Sequence, residues 1–196
     1  MKKIPICVLF LLFHFQQVFS QQLADFEWET SRWAEGASIT RYVGTSTDVV
    51  IPEAINGVPV VDIGNEAFYG MQLTSIAIPG SVSLIGAYAF RSNLLTSVTI
   101  PESVLYIANG AFIDNQLTSI TFPANIRWVS GDTFTGNPIT SITVEGEVAF
   151  YPIGSGSIGI FGYDDDCSFE KAYYRAGKLP GTYTRPNAES TEWTRQ

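Results

Sequence analysis

Few side chains in this chain can do chemistry, and their spacing decides what each could do. Glu145 and Glu147 stand two residues apart, so on a strand both would point the same way. Paired acids cleave glycosidic bonds when they face each other across a cleft at roughly 5–9 Å. A carboxylate-dependent glycoside hydrolase is therefore the remote catalytic reading, although the shallow surface expected below offers no obvious cleft. Asp164, Asp165 and Asp166 are the metal candidates. They lack the ligand spacing of a calcium loop, and a solvated turn is expected. Gly154 to Gly159 fits the letters G-x-G-x-x-G, but no βαβ unit surrounds it, so it reads as a flexible Gly/Ser loop rather than a nucleotide cradle.

The residues that are missing narrow the choice further. Met1-Lys2-Lys3, the apolar run from Ile4 to Phe15 and the small residues Val18 and Ser20 make a secretory signal over residues 1–20. The run is too short to span a membrane, and no later stretch comes close. Removing it takes away His14, the only histidine, and Cys7, which leaves Cys167 alone. Ser-His-Asp and Cys-His mechanisms are then excluded, as are zinc sites built on imidazole or several thiolates. Cys167 can form no internal disulfide and is expected to be a small buried apolar side chain. Without Lys2 and Lys3 there are 9 basic against 19 acidic residues, a net of −10, which argues against nucleic acid and anionic membranes. No enzyme, no cofactor and no membrane insertion of the mature chain are expected.

What remains is a set of small hydroxyl side chains. Ser75 and Ala77, Ser97 and Thr99, Ser119 and Thr121, and Ser141 and Thr143 recur at a step of 22 residues. They fall on the outward positions of short strands and are the binding candidates. With strands ~4.8 Å apart, the face they make is on the order of 240 Å², well below the ~800 Å² per partner of a stable interface. Binding by this face is therefore weak unless loops join it or many copies are displayed together. The same residues also serve as strand formers that keep a sheet face soluble. Their even spacing allows a regular lattice, ice or crystalline polysaccharide, as a further reading.

The elements that position these rows are set by that period. Phe68, Phe90, Phe112 and Phe134 lie 22 residues apart, as do Ile63, Ile85, Ile107 and Val129, and Val60, Val82, Val104 and Ile126. Leu73, Leu95, Leu117 and Ile139 follow the same step, each leading into Thr-Ser and an apolar residue. Fixed apolar columns at this period predict a β-rich solenoid of four 22-residue coils over residues 51–145, each hiding its apolar side against the next. In the third copy, Leu95 to Gln116, Val98 and Ile100 alternate with Ser97 and Thr99 as a short strand that Pro101 ends. Asn93, Asn115 and Asn137 precede the strand column, and their expected role is to bond backbone groups of the turn. Phe26, Trp28 and Trp33 in residues 21–50 are expected to cap the first coil, with a sugar-stacking platform of the two tryptophans as the alternative. Residues 146–196 are expected to cap the other end through a short helix whose face carries Phe169, Ala172, Tyr173 and Ala176, then an edge strand and Trp193.

The run Val49-Val50-Ile51-Pro52, with Ile55 to Val60, Ile63-Gly64 and Ala67-Phe68, resembles the opening of a BspA-type leucine-rich repeat array. Leu73 to Pro79 through Ile85-Gly86 and Ala89-Phe90 is similar to the repeat of the same family. The resemblance covers roughly residues 39–145, and the loss of proline after Val144 and of alanine at Thr133 marks its end. It implies a solenoid on exported or surface-displayed bacterial proteins, often associated with adhesion, and brings no catalytic residue. The expectation is an exported binding or adhesion module, secreted, on the cell surface or periplasmic. Its expected partner is a host matrix or cell-surface protein or glycan. A structural spacer without a ligand is the alternative.

Overall fold

Prolines and turn residues cut this chain into strands so short that one coil cannot complete a sheet, so each coil must use its neighbours. The computed structural model describes residues 23–150, 160 and 168–196. The signal segment, the Gly154 to Gly159 loop, Asp164 to Asp166 and Cys167 lie outside the described residues. The strands are β1 (Phe26–Thr30), β2 (Ala37–Tyr42), β3 (Asp48–Val50), β4 (Ala54–Ile55), β5 (Val58–Ile63), β6 (Ser75–Ala77) and β7 (Leu84–Ile85). They continue as β8 (Tyr106–Ile107), β9 (Ser119–Phe122), β10 (Trp128–Val129), β11 (Ser141–Val144) and β12 (Ala149–Phe150). Helix α1 (Ser168–Arg175), β13 (Gly181–Thr184) and β14 (Thr194–Arg195) close the chain.

The largest sheet runs β1-β2-β5-β7-β8-β10-β12, with β4 paired to β5, and is parallel from β2 onward. Ile63 lies opposite Ile85, Ile85 opposite Ile107 and Ile107 opposite Val129, so the 22-residue columns become the strand register. Inside, Phe68 stacks on Phe90 at 5.1 Å, Phe90 on Phe112 at 5.2 Å and Phe112 on Phe134 at 5.6 Å. All four rings are fully buried. The coils therefore share one core, and each buried ring contributes about 1.5–3 kcal/mol through the water it sheds.

Backbone groups facing the next coil need partners too, and the asparagine column supplies them. Asn115 Nδ2 donates to Phe90 O at 2.9 Å and Phe112 O at 3.1 Å, while its Oδ1 accepts the Leu95 N–H at 3.1 Å. Asn93 and Asn137 repeat the pattern, and all three are buried. Each amide thus ties two coils together as well as closing its own turn. Two further columns adopt positive φ: Glu66, Tyr88, Gly110 and Asp132, and then Gly70, Ser92, Asp114 and Gly136. The left-handed turn is fixed by the coil's geometry and is imposed on non-glycine residues.

The stack runs past the four coils at both ends and makes about five turns. Tyr42 stacks on Phe68 at 5.5 Å, and β2, expected within the cap, pairs in parallel with β5. Tyr42 stands 26 rather than 22 residues before Phe68, because the β4–β5 hairpin intervenes. Its Asn56-Gly57 turn has positive φ at both residues, as a two-residue type I′ turn requires. At the other end β12 adds in parallel to β10, and the Phe134 N–H donates to Ile160 O. Thr133 sits fully buried in the alanine column because its Oγ1 donates back to Ser130 O.

Three expectations are corrected. Residues 97–100 make no ladder, so the second sheet is split into a β3–β6 pair and β9-β11-β13-β14, although Ile100 stays buried. Nothing in the structure explains that gap. Trp33 does not cap the core: it is 79% exposed, and Phe26, packed on Tyr42 and Phe68, does that work beside a half-buried Trp28. The helix ends at Arg175 rather than Ala176, with Gly177 at φ 74° and the Lys178 N–H bonded to Tyr173 O, a Schellman stop.

The far cap is aromatic. Phe169 and Tyr173 from α1 are fully buried against Phe150, and Trp193 packs on Phe169 at 5.4 Å. Glu170 is buried beside them and accepts the Ile160 N–H at 2.5 Å.

Asn115→Ala would leave Leu95 N–H, Phe90 O and Phe112 O unpaired and is expected to cost about 2–4 kcal/mol by urea unfolding. A loss under about 1 kcal/mol would contradict the bridging role. Burial lifts the Glu170 carboxyl above its ordinary value of 4.5, and the Ile160 N–H only partly offsets this. A raised folded-state value means stability is complete below pH 4.5 and is lost as pH rises through that folded value. Glu170→Gln keeps an acceptor oxygen without the charge. Unfolding titrations at about pH 4 and about pH 8 should show its stability relative to wild type improving as pH rises, and a constant difference would contradict the assignment.

Candidate binding site

Period-two strands put alternate residues outside, and the hydroxyl candidates lie there. Ser75 and Ala77 on β6, Ser97 and Thr99 on the unpaired coil segment, and Ser119 and Thr121 on β9 are all exposed. Ser141 and Thr143 on β11 are half-buried because β13 pairs antiparallel along that strand. The pairing sets Thr182 opposite Thr143 and Thr184 opposite Ser141, and the Thr143 and Thr182 hydroxyls bond at 3.1 Å. The hydroxyl row thus continues onto the C-terminal tail. At its other end Ser75 Oγ donates to Asp48 Oδ1, and Val50, 56% exposed, lies beside Ala77.

The largest sheet presents a second outward row. Register places Asp62, Leu84, Tyr106 and Trp128 side by side on β5, β7, β8 and β10. Trp128 is 46% exposed, its ring edge-on to Tyr106 at 6.0 Å and its Nε1 donating to Ser130 Oγ at 3.0 Å. Asp62 begins the row and is 1% exposed.

A cleft of ≈390 Å³ opens where Asp62 meets the β1–β2 turn, with Glu29, Arg32, Trp33, Ser38 and Asn65 also on its walls. Ser31 builds that turn. Its Oγ accepts the Trp33 N–H at 3.0 Å and the Ala34 N–H at 3.2 Å, and donates to Asp62 Oδ2. One hydroxyl therefore positions both the exposed indole and the buried acid. Asp62 Oδ1 has no hydrogen-bond partner, and burial pushes the carboxyl above its ordinary value despite the Ser31 bond. Glu29 and Arg32 are 4.0 Å apart and mostly exposed, so they offset each other's charge at the rim while adding at most about 1 kcal/mol.

Of the residues on this cleft only Trp33 stands out in the sequence, as half of a sugar-stacking pair with Trp28, which is not on its walls. Asp62 was hidden in a column that changes from Asp to Leu, Tyr and Trp at each 22-residue step. Variability between fixed apolar columns was the available signal for an outward row. The paired acids fare differently: Glu145 and Glu147 fall on the bend after β11 rather than on a strand, and Glu147 is bonded to Lys178 Nζ at 2.8 Å. Among the described residues no group of three or more His, Cys, Asp or Glu is placed to hold a metal ion. The Asp164 to Asp166 run lies outside them. No helix among the described residues is long and apolar enough to cross a membrane.

Comparison with known proteins agrees with this architecture. No curated protein was found to match the chain. Among solved structures, a leucine-rich repeat protein of T. pallidum is similar at 32% identity and a TM-score of 0.53, over 57% of this chain and 54% of that one. The match thus spans about half the length of the T. pallidum protein. A leucine-rich repeat protein from Bacteroides capillosus ATCC 29799 is similar at 29% identity and a TM-score of 0.55, over 62% of this chain and 95% of that one. The family model described as the BspA type leucine rich repeat region matches residues 45–155 in 6 copies. That match takes in more than half of the sequence, and the chain belongs to the BspA-type leucine-rich repeat family.

Proposed function

We propose that this protein is an exported, non-catalytic binding or adhesion module that presents its hydroxyl face to a host matrix or cell-surface protein or glycan. The observation that carries the reading is the exposed row of Ser75, Ser97, Thr99, Ser119 and Thr121, continued through Thr143 onto Thr182. Membership in a repeat family whose members serve as surface binding modules supports it. Counting the tail, five strand positions ~4.8 Å apart and ~12 Å wide give a face on the order of 300 Å². That is still well short of the ~800 Å² of a stable interface, so this face makes weak contacts that gain strength when many copies are displayed.

The test is binding of residues 21–196, displayed on beads, to immobilised matrix proteins and glycans. A Lys at the centre of the face would desolvate an unpaired charge on contact. Thr99→Lys and Thr121→Lys are expected to weaken capture about tenfold each, a loss near 1.4 kcal/mol, with unfolding midpoints unchanged. Binding indifferent to both changes, or no binder at all, would overturn the reading.

A further inference from the structure

We propose that the cleft between the β1–β2 turn and the first coil is a carbohydrate site, in which a neutral sugar ring packs on the Trp33 indole and donates a hydroxyl to Asp62 Oδ1. It lies on the largest sheet, away from the hydroxyl row, and does not depend on the function proposed for that row.

Asp62 stands at a position where coil packing does not require an acid. The coils that follow carry Leu84, Tyr106 and Trp128 at the same register position, so an apolar side chain satisfies the coil. An acid there is 1% exposed, uses one oxygen to accept from Ser31 and leaves the other without a partner. Such an unmade bond is unfavourable for folding; Oδ1 is itself covered, but Asp62 stands on the cleft wall, and a turn of its carboxylate toward the cleft would let a ligand hydroxyl make the bond.

Trp33 supplies the second half. A large aromatic that is 79% exposed gains nothing from water, yet the Ser31 hydroxyl that bonds Asp62 also holds its backbone. Indoles offer a flat apolar face suited to the C–H side of a pyranose, while hydroxyls at the ring edge seek polar partners. Ser38 and Asn65 stand on the walls to meet them.

Charge selects among ligands. Asp62 and Glu29 oppose an anion, and Arg32 and Glu29 offset each other at the rim, so the cleft offers hydrogen-bonding groups beside a flat indole, a combination suited to a neutral polyol. The volume of ≈390 Å³ sits at the small end of the ~300–1,000 Å³ of ligand sites, suited to a monosaccharide or disaccharide unit. Leu84 forms part of the wall, and the row runs on to Tyr106 and Trp128, so a longer glycan would leave the cleft in that direction.

The experiment titrates residues 21–196 with glucose, galactose, mannose, N-acetylglucosamine and their disaccharides, read by indole N–H resonances. The Trp33 signal is assigned by its absence in Trp33→Ala. At least one sugar is expected to shift that resonance saturably. Trp33→Ala and Asp62→Leu, the latter carrying the residue of the next coil, are each expected to weaken binding about tenfold or more. Trp33 is exposed, so Trp33→Ala should keep the wild-type unfolding midpoint, and Asp62→Leu, which removes the unpartnered buried oxygen, should keep or raise it. Thr99→Lys and Trp128→Ala should leave monosaccharide binding unchanged, which separates this site from the hydroxyl face. The proposal is overturned if no sugar moves the Trp33 resonance, if Trp33→Ala or Asp62→Leu binds as the wild type does, or if Trp128→Ala abolishes monosaccharide binding.

Discussion

Every coil of this protein leaves its edge unfinished, and the register between coils is what completes it. A strand of two residues, such as Leu84–Ile85, cannot form a sheet alone, and a ring such as Phe90 has no interior until Phe68 and Phe112 cover its faces. The asparagine bridges add a polar version of the same dependence, since each amide bonds carbonyls of two successive coils. Stability in such a stack comes from nearest-neighbour contacts, so the inward columns tolerate little change. The outward rows contribute little to that stack and can vary.

That division explains what could be read from the residues alone. The apolar columns were visible because packing holds them to a few residue types every 22 positions. The stacking of Phe90 on Phe112, the outward hydroxyl rows and the apolar face of the C-terminal helix followed from spacing. The ends were harder. Tyr42 belongs to the ring stack, but the hairpin at Asn56-Gly57 displaces it from the period by four residues. Periodicity cannot reveal what an insertion has shifted, although Asn-Gly between apolar residues is itself a hairpin signal. Trp33 reads as a capping residue by type, and only the Ser31 turn sends it outward. Asp62 was concealed because its column has no fixed character, which is how an outward row looks in a repeat.

The two candidate surfaces differ in how they are built. The hydroxyl face arises from repetition: similar small side chains brought side by side by the coils and extended by β13. The cleft arises where repetition fails, between the first regular coil and a turn of its own design. Repeated small groups favour many weak contacts with an extended partner, whereas an enclosed acid beside an exposed indole favours one defined ligand group. The two modes are compatible in one chain, since the cleft and the hydroxyl face lie on different sheets.

If coils support one another through register, the stack should survive the loss of one whole coil but not the loss of part of one. Deleting residues 95–116 takes out one 22-residue step and brings Leu117 to the place of Leu95, so all the columns meet again. Deleting residues 95–115 takes out one residue fewer and shifts every following column. Thermal unfolding followed by circular dichroism should show a cooperative transition for the first variant, at a lower midpoint than the full chain, and none for the second. Equal loss of folding in both, or equal tolerance of both, would show that register does not hold the coils together.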